Sequence, residues 1–360
     1  NSIILSIIIG IVFTIVLSLV NSYLLELIST PAELFDGAHK FLFILYIGCA
    51  SSLIYNLFAA TLRSIGNSFT PVLFLLLSVV INAILAYVFV AIFGWGVEGS
   101  AVATIIAQSA SALCCYVYIN RKYPQIRLTK EDAVLDISHM KNLILQGAPM
   151  GMQFSFTGIG LIVVQKFLNG FGTNYIAGYS VGVRIQNIVS YVYVALGTAI
   201  STFISQNIGA KRMYRIPKAV KYTTLITIGC AIFSTIVIRF FGPNFISLFT
   251  TAPNEELTHA TVTYFNNVTL AYIPLGLIIL YRSALQGYGF PITAMMAGII
   301  ELINRVVIVI FLTDTFGFLA ICLADSVNWV ITAVFLLTVY FIATRSHKNK
   351  NKAFYIEPSM

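Results

Sequence analysis

Long apolar runs recur along almost the whole chain, separated by short polar segments. Each run has roughly the 20 residues that a helix needs to cross a bilayer, and a backbone without water partners must satisfy itself as a helix. The short alternating segments of a membrane barrel are not seen. The pattern predicts an all-α integral membrane protein with ten transmembrane helices, at residues 3–25, 41–61, 71–93, 99–119, 143–168, 175–205, 223–241, 261–281, 291–313 and 318–343.

Composition supports a membrane protein. The chain is 58% hydrophobic and 9% charged, with a mean hydropathy of +0.90, whereas a soluble domain carries about 25% charged residues. The five cysteines lie in the apolar runs without a CxxC pattern, and the four histidines are scattered through polar segments. We therefore expect no cofactor and no bound metal apart from a transported Na⁺.

Charge predicts the orientation of the helices. The net charge is +8, and the basic residues concentrate in alternate loops, which the positive-inside rule places in the cytoplasm. Both ends of the chain are then cytoplasmic. The clusters are too short and dispersed for a nucleic-acid surface, so we expect no nucleic-acid partner. They comprise Arg63, then Arg121, Lys122, Arg127, Lys130 and Lys141, then Lys211, Arg212, Arg215, Lys218 and Lys221, then Arg282, and finally Arg345, Lys348, Lys350 and Lys352.

The sequence also repeats itself. LRSIGNSFTP at 62–71 recurs in altered form as LQGYGFPITA at 285–294, an offset of 223 residues. TPAEL (30–34) aligns with APNEE (252–256), and FGWG (93–96) aligns with FGFL (316–319), within one residue of that offset. Three anchors at one spacing predict a duplicated four-helix pattern.

The repeat predicts the domain organisation. Residues 140–222 have no partner in the first copy and hold two spans, so we expect about 80 further residues and two helices before Asn1. An even number of helices in each copy predicts parallel repeats related by a pseudo-twofold axis, a transporter pattern. We predict a four-helix N-terminal lobe at 1–120, a cytoplasmic linker at 121–141, a six-helix C-terminal lobe at 142–345 and a cytoplasmic tail at 346–360.

Four motifs connect the chain to a known family. They are GAPMGMQFS (147–155), SQNIGAKR (205–212), GWGVEGSAVAT (94–104) and the LRSIGNSFTP segment. In these the chain resembles the multidrug and toxic compound extrusion (MATE) transporters, which have twelve helices in two lobes. The resemblance implies a monomeric antiporter of the cell membrane, which exports organic cations or other amphipathic compounds in exchange for Na⁺ or H⁺. The two lobes would rock about a central cavity, with cation binding favouring the outward state.

Two carboxylates are the candidates for ion coupling. A charge inside hydrocarbon is costly and suggests function, and Glu301 and Asp325 both lie well inside apolar runs. Either could bind Na⁺ or accept a proton. For Glu301 the alternative is self-neutralisation by Arg305, four residues on. Asp325 has no charged residue at helical spacing, although Asn328 follows three residues on, and a structural role is equally open.

The candidates for substrate contact are polar or aromatic residues of the spans. Pro149 removes a backbone hydrogen bond and is predicted to kink its helix near these groups. Tyrosine rings attract organic cations, whereas intramembrane amides also tie helices together and aromatic rings also pack or face lipid. The set comprises Gln153, Thr157, Arg184, Asn82, Asn304, Tyr272 and Tyr281.

The sequence departs from the family in its acidic residues. Many members carry one on the seventh family helix, where this chain has only Gln153 and Thr157, and another branch uses an aspartate on a first helix that this chain does not include. The choice between Na⁺ and H⁺ therefore stays open. A lipid-linked saccharide flippase of a related fold is the alternative function, although Arg184 and Arg305 are few cations for its cavity. A membrane enzyme would need clustered His, Asp or Glu, and a channel would not need duplicated lobes.

Overall fold

The computed structural model describes residues 1–27, 32–127, 134–247, 249 and 254–350, and no β-strand occurs within these ranges. The chain is helical almost throughout, as the apolar runs predict. Its helices are α1 (Ser2–Leu27), α2 (Ala32–Ile47), α3 (Cys49–Ser64), α4 (Phe69–Tyr87), α5 (Gly96–Lys122), α6 (Ile137–Leu168), α7 (Thr173–Gly209), α8 (Ile216–Ile246), α9 (Glu255–Val268), α10 (Tyr272–Gly287), α11 (Pro291–Phe316) and α12 (Phe318–Lys350).

The predicted number of spans is confirmed. In the described part of the chain nine helical runs are long and apolar enough to cross a membrane, and the bent pair α2 and α3 makes a tenth. A short π-helix, Val88–Ile92, extends α4, and a 3₁₀ turn, Thr269–Ala271, joins α9 to α10 in one run. The alternation of apolar runs with polar segments thus counts the crossings correctly.

The second span is broken, although its apolar run predicts one continuous helix. α2 and α3 meet at Gly48 with a bend of 44°. A Cβ atom at residue 48 would overlap the side chain of Ile105 on α5. The bend therefore lies where the absence of a side chain lets α5 approach the backbone closely.

The chain forms two compact units, which we call unit 1 (Asn1–Leu143) and unit 2 (Ile144–Met360). In unit 1, α5 packs against α2, α3 and α4, while α1 packs against α2 and α3. In unit 2, the α9–α10 run lies at the centre, against α7, α8 and α12. The fully buried Tyr264 ties this run to α7, because its hydroxyl donates to Gln186 Oε1 at 3.0 Å.

Parts of the predicted linker and tail are helical. α5 continues to Lys122, α6 begins at Ile137, and α12 extends to Lys350. Residues 128–133 of the linker and 351–360 of the tail lie outside the described residues, as do Thr30, Pro31, Ala252 and Pro253 of the TPAEL and APNEE segments.

The duplicated pattern appears in the packing of each unit. In unit 1, α3 packs on α1 and α5, and α5 packs on α4; in unit 2, α10 packs on α8 and α12, and α12 packs on α11. The offset of 223 leaves residues 140–222, which hold most of α6 and all of α7, without a partner in the first copy.

The turns that close α3 and α10 are the same structure. Gly66 and Gly289 have φ of 89° and 86°. The next amide in each turn, of Asn67 or Phe290, donates over 2.9 Å to the carbonyl of a leucine five residues back. This is a Schellman cap, in which glycine occupies the left-handed position without a Cβ clash. The recurring decapeptide therefore encodes one helix-ending turn, used twice.

We expect Gly66→Ala and Gly289→Ala each to destabilise its unit by about 1–2 kcal/mol, because an L-residue is forced into the left-handed region. Thermal unfolding of the purified protein in detergent measures the effect. Gly229→Ala is the matched control, since Gly229 lies exposed inside α8 with open space around it. Alanine there is expected to be neutral or to stabilise by about 0.5–1 kcal/mol. Equal melting temperatures for all three variants would contradict this account of the repeat.

Candidate functional site

Four charged side chains meet inside unit 2. Arg282 comes from α10, Glu301 and Arg305 from α11, and Asp325 from α12. Glu301, Arg305 and Asp325 are each only 4% exposed. We call these four residues the ionic cluster. Its members lie on helices long and apolar enough to cross a membrane, where a charge without a partner is strongly unfavourable.

The charges of the ionic cluster alternate. Glu301 Oε1 forms a close ion pair with Arg282 Nη2, and Glu301 Oε2 lies 3.6 Å from Arg305 Nη1. The Nε of Arg305 donates to Asp325 Oδ1 at 3.2 Å. Two carboxylates and two guanidinium groups thus form a chain that is neutral as a whole. Such pairing offsets the cost of removing each charge from water.

Neutral groups from two more helices complete the coordination of the carboxylates. Thr157 Oγ1 on α6 donates to Glu301 Oε2 at 3.1 Å. The hydroxyl of Tyr179 on α7 donates to Asp325 Oδ2 over a longer 3.5 Å. The Tyr179 ring packs edge-on against Tyr264, with centroids 5.1 Å apart. Five helices therefore contribute to one buried polar site.

A separate group of hydrogen-bonded polar side chains joins α11 to α12. Asn304 Nδ2 donates to Asn328 Oδ1 at 3.3 Å, and Thr332 Oγ1 donates to the same oxygen at 3.2 Å. Within the described residues, the buried Nδ2 of Asn328 has no hydrogen-bond partner. Asn304 thus ties two helices together, as intramembrane amides do.

Gln153 brings an unpaired oxygen to this part of unit 2. It is 2% exposed, and its Oε1 has no partner among the described residues. Gln153 and Thr157 are four residues apart, so they share one face of α6. That face contacts α11 closely, because a Cβ at Gly298 would lie 2.9 Å from the Gln153 carbonyl oxygen. Pro149 lies inside the same helix.

The structure joins the two candidate carboxylates, which sequence spacing left separate. The predicted i,i+4 contact of Glu301 with Arg305 is present. Asp325 is not free of charged neighbours, since it pairs with Arg305 across two helices. Spacing within one helix does not report a contact of this kind.

Arg282 lies in a helix and not in the cytoplasmic loop that the charge pattern predicts. The apolar run ends at 281, but α10 continues to Gly287. Its side chain is 14% exposed and bound to Glu301. A basic residue one position beyond an apolar run, facing an acidic residue on the next span, is the signal that could have found it.

The other candidates lie apart from the ionic cluster. Tyr272 is fully buried in the packing of unit 2, and its hydroxyl has no partner among the described residues. Tyr281 lies between α8, α10 and α12, with its hydroxyl 3.1 Å from Thr224 Oγ1. Arg184 lies on the exposed side of α7. Asn82 belongs to unit 1, where its Nδ2 donates to Thr104 Oγ1 at 3.0 Å.

Unit 1 has a polar cavity where unit 2 has its ionic cluster. Ser78 and Asn82 line a cavity of about 360 Å³ between α3, α4 and α5, together with Ser52 and Gln108, which hydrogen-bond to each other. Ser78 and Asn82 are 223 residues before Glu301 and Arg305. The lining side chains of this cavity are uncharged. The two copies therefore place neutral and charged groups at matching positions.

The oxygen atoms of the ionic cluster can serve a hard cation or a proton. Carboxylate and amide oxygens are the ligands that hard cations prefer. Glu301 and Asp325 are the carboxylates available, and the described residues hold no cluster of three or more His, Cys, Asp or Glu side chains. A cation bound here would have to compete with Arg282 or Arg305 for its ligands.

Comparison with known sequences connects this geometry to a family of transporters. The sequence model of the MatE family matches residues 1–88 and 149–311. Probable multidrug resistance protein YpnP of Bacillus subtilis is 27% identical over 237 residues, which cover 64% of this chain and 52% of YpnP. YoeA of the same organism is 29% identical over 256 residues, covering 67% and 54%. An FAD transporter of Shewanella oneidensis is 25% identical over 276 residues, covering 74% and 59%. The chain thus spans little more than half the length of these curated relatives.

Solved structures share the fold. A mutant of the Vibrio cholerae MATE transporter VcmN matches with a TM-score of 0.88 at 20% identity, over 99% of this chain and 79% of that one. A MATE protein in its bent conformation matches with a TM-score of 0.87 at 18% identity, over 98% and 78%. The all-α, two-lobe architecture predicted from the sequence is therefore confirmed.

We expect Arg305→Met to destabilise the protein by about 3–5 kcal/mol, because it leaves Asp325 as a buried charge without an ionic partner. The double variant Arg305→Met/Asp325→Asn should recover about half of that loss, since Glu301 keeps Arg282. Thermal unfolding in detergent measures both. Arg184→Met, which removes an exposed arginine of α7, is the control and should change stability by less than about 0.5 kcal/mol. A double variant no more stable than Arg305→Met would show that pairing is not what holds this region.

Proposed function

Because this chain belongs to the MatE family, we propose that it is a secondary antiporter that exports organic cations or other amphipathic compounds in exchange for Na⁺ or H⁺. It is a multi-pass membrane protein, and we assign its basic loops and both of its ends to the cytoplasmic side of the cell membrane. The observation that carries the proposal is the buried ionic cluster of unit 2. It places two carboxylates, each paired with an arginine, inside membrane-spanning helices.

The arginines give the carboxylates an alternative partner to a transported ion. When Na⁺ or H⁺ neutralises Glu301, Arg282 loses its ion pair and Thr157 loses the negative charge on its acceptor. When the ion leaves, the arginine pairs again, so the carboxylate is not stranded in a medium of low dielectric. Ion exchange at Glu301 thereby alters the bonds among α6, α10 and α11. Asp325 extends the same exchange to α12 through Arg305.

This rearrangement is the link from ion to transport. A ligand shifts a conformational equilibrium only by its difference in affinity for the two states. We infer that the outward state favours the ion-bound carboxylates and the inward state favours the arginine-paired ones. Substrate release then accompanies ion binding, as an antiporter requires.

We assign substrate contact to the more accessible polar candidates. Asn82 lines the cavity of unit 1, and Arg184 lies exposed on α7. Gln153 and Tyr272 are buried, so a substrate role for them would require helix movement. Asn304 is half-buried, but its amide is already bound to Asn328. The saccharide flippase alternative is weakened, because Arg305 is neutralised by its carboxylate partners.

An anionic substrate is the second candidate. One relative is an FAD transporter, matched over 74% of this chain. The exposed Arg184 carries a positive charge that would attract the phosphates of a dinucleotide. Uptake of ethidium and of FAD into the same proteoliposomes, with Arg184→Gln as the variant, distinguishes the two classes of substrate.

We expect Glu301→Gln and Asp325→Asn each to reduce ion-driven transport of ethidium by about tenfold or more, because the coupling free energy between ion and substrate is lost. The assay measures ethidium movement in proteoliposomes under an imposed Na⁺ gradient or, separately, an imposed pH gradient. The gradient that drives the unaltered protein identifies the coupling ion.

Asp314→Asn is the matched control, since Asp314 is an exposed carboxylate on the same helix as Glu301. Transport by this variant should equal that of the unaltered protein. Variants of Glu301 and Asp325 that keep full gradient-driven transport would place the coupling site elsewhere.

A further inference from the structure

A groove opens at one end of unit 2, between α8, α10 and α12. Its volume is about 610 Å³. Aromatic and aliphatic side chains form most of its wall, and three basic side chains stand at its edge. We call it the tyrosine groove, and its lining residues are Pro217, Val220, Lys221, Thr224, Leu225, Tyr281, Tyr288, Tyr340, Phe341, Thr344, Arg345 and Lys348.

The floor of the tyrosine groove is preformed. Tyr340 packs edge-on against Tyr281 and Tyr288, with ring centroids 4.9 Å and 6.2 Å apart. All three tyrosines are buried, at 6 to 8% exposure. The hydroxyl of Tyr281 lies 3.1 Å from Thr224 Oγ1, which joins the floor to α8. A ligand therefore meets a fixed surface, and little ordering is needed on binding.

The edge of the tyrosine groove is cationic. Lys221 on α8 and Arg345 and Lys348 on α12 are exposed, and none of the lining residues that the structure describes carries a carboxylate. In the described part of the chain, no ion pair involves any of these three side chains. Three like charges around one opening create a site for an anion.

The position of the groove adds a requirement for apolar contact. Leu225 and Phe341, which flank the opening, are 55% and 63% exposed. They lie within helices long and apolar enough to cross a membrane, whereas the basic residues lie toward the polar ends of those helices. The site thus presents apolar side chains within membrane-spanning helices and positive charge near the ends of those helices, an arrangement that suits a lipid headgroup and its acyl chain.

We propose that the tyrosine groove binds an anionic phospholipid. Its phosphate contacts Lys221, Arg345 and Lys348, and an acyl chain lies along Leu225 and Phe341. Basic pockets between membrane helices on the cytoplasmic side suit such headgroups. A soluble phosphate compound would use the basic edge but would leave the apolar wall uncovered. The inference does not depend on the transported substrate or on the coupling ion.

The test is native mass spectrometry of the detergent-purified protein titrated with phosphatidylglycerol or phosphatidylcholine. We expect the first lipid adduct to form at a concentration of phosphatidylglycerol about tenfold lower than that needed for phosphatidylcholine. The triple variant Lys221→Gln/Arg345→Gln/Lys348→Gln should lose that preference. The control is Lys141→Gln/Arg212→Gln/Lys218→Gln, which removes three exposed charges outside the groove and should keep the preference.

Two further measurements separate the lipid from a soluble anion. Phe341→Gln, at an exposed position, should weaken binding of phosphatidylglycerol severalfold while the melting temperature stays unchanged. Glycerol 3-phosphate should fail to displace the lipid at equal concentration. If glycerol 3-phosphate displaces the lipid, the groove binds a soluble phosphate compound and the lipid proposal is wrong. If the groove triple variant keeps its preference for phosphatidylglycerol, or if the control variant loses that preference equally, the groove is not the lipid site.

Discussion

The pairing of buried charges is the constraint on which unit 2 depends. Hydrocarbon does not solvate a carboxylate or a guanidinium group, so each must find its counter-charge inside the protein. Arg282, Glu301, Arg305 and Asp325 satisfy one another in sequence across α10, α11 and α12. Thr157 and Tyr179 then bring α6 and α7 to the same point. Helices that have no hydrophobic reason to associate in lipid are joined here by polar contacts.

The duplicated scaffold has diverged in its polar groups while keeping its turns. Gly66 and Gly289 end equivalent helices in the same left-handed conformation. Yet Ser78, Asn82 and Val102 stand in unit 1 where Glu301, Arg305 and Asp325 stand in unit 2. The neutral copy has an open polar cavity, and the charged copy has a closed network of ion pairs. A repeated backbone can therefore support two different chemical environments.

The apolar pattern was sufficient for the spans, because crossing a bilayer fixes both the length and the composition of each helix. The offset of 223 residues in the repeat also matches the spacing of the two turns at Gly66 and Gly289. The break at Gly48 was not predictable from the apolar pattern, and the close approach of Ile105 at this glycine comes from another helix. The pairing of Asp325 with Arg305 and the burial of Arg282 depend equally on neighbouring helices. The spacing of residues along the sequence shows which of them share a face of one helix. The contacts named here form between different helices, so this spacing does not reveal them.

The neutrality of the ionic cluster has an electrical consequence. Moving one elementary charge across the whole membrane changes its free energy by about 2.3 kcal/mol for each 100 mV of membrane potential. Two arginines and two carboxylates sum to zero, so a rigid displacement of unit 2 carries no net charge from these residues across the field. If the transport cycle depends on voltage at this site, the charge that moves through the field must therefore belong to the bound ion or to the substrate. At this site the resting protein would not respond to the potential, whereas its cargo would.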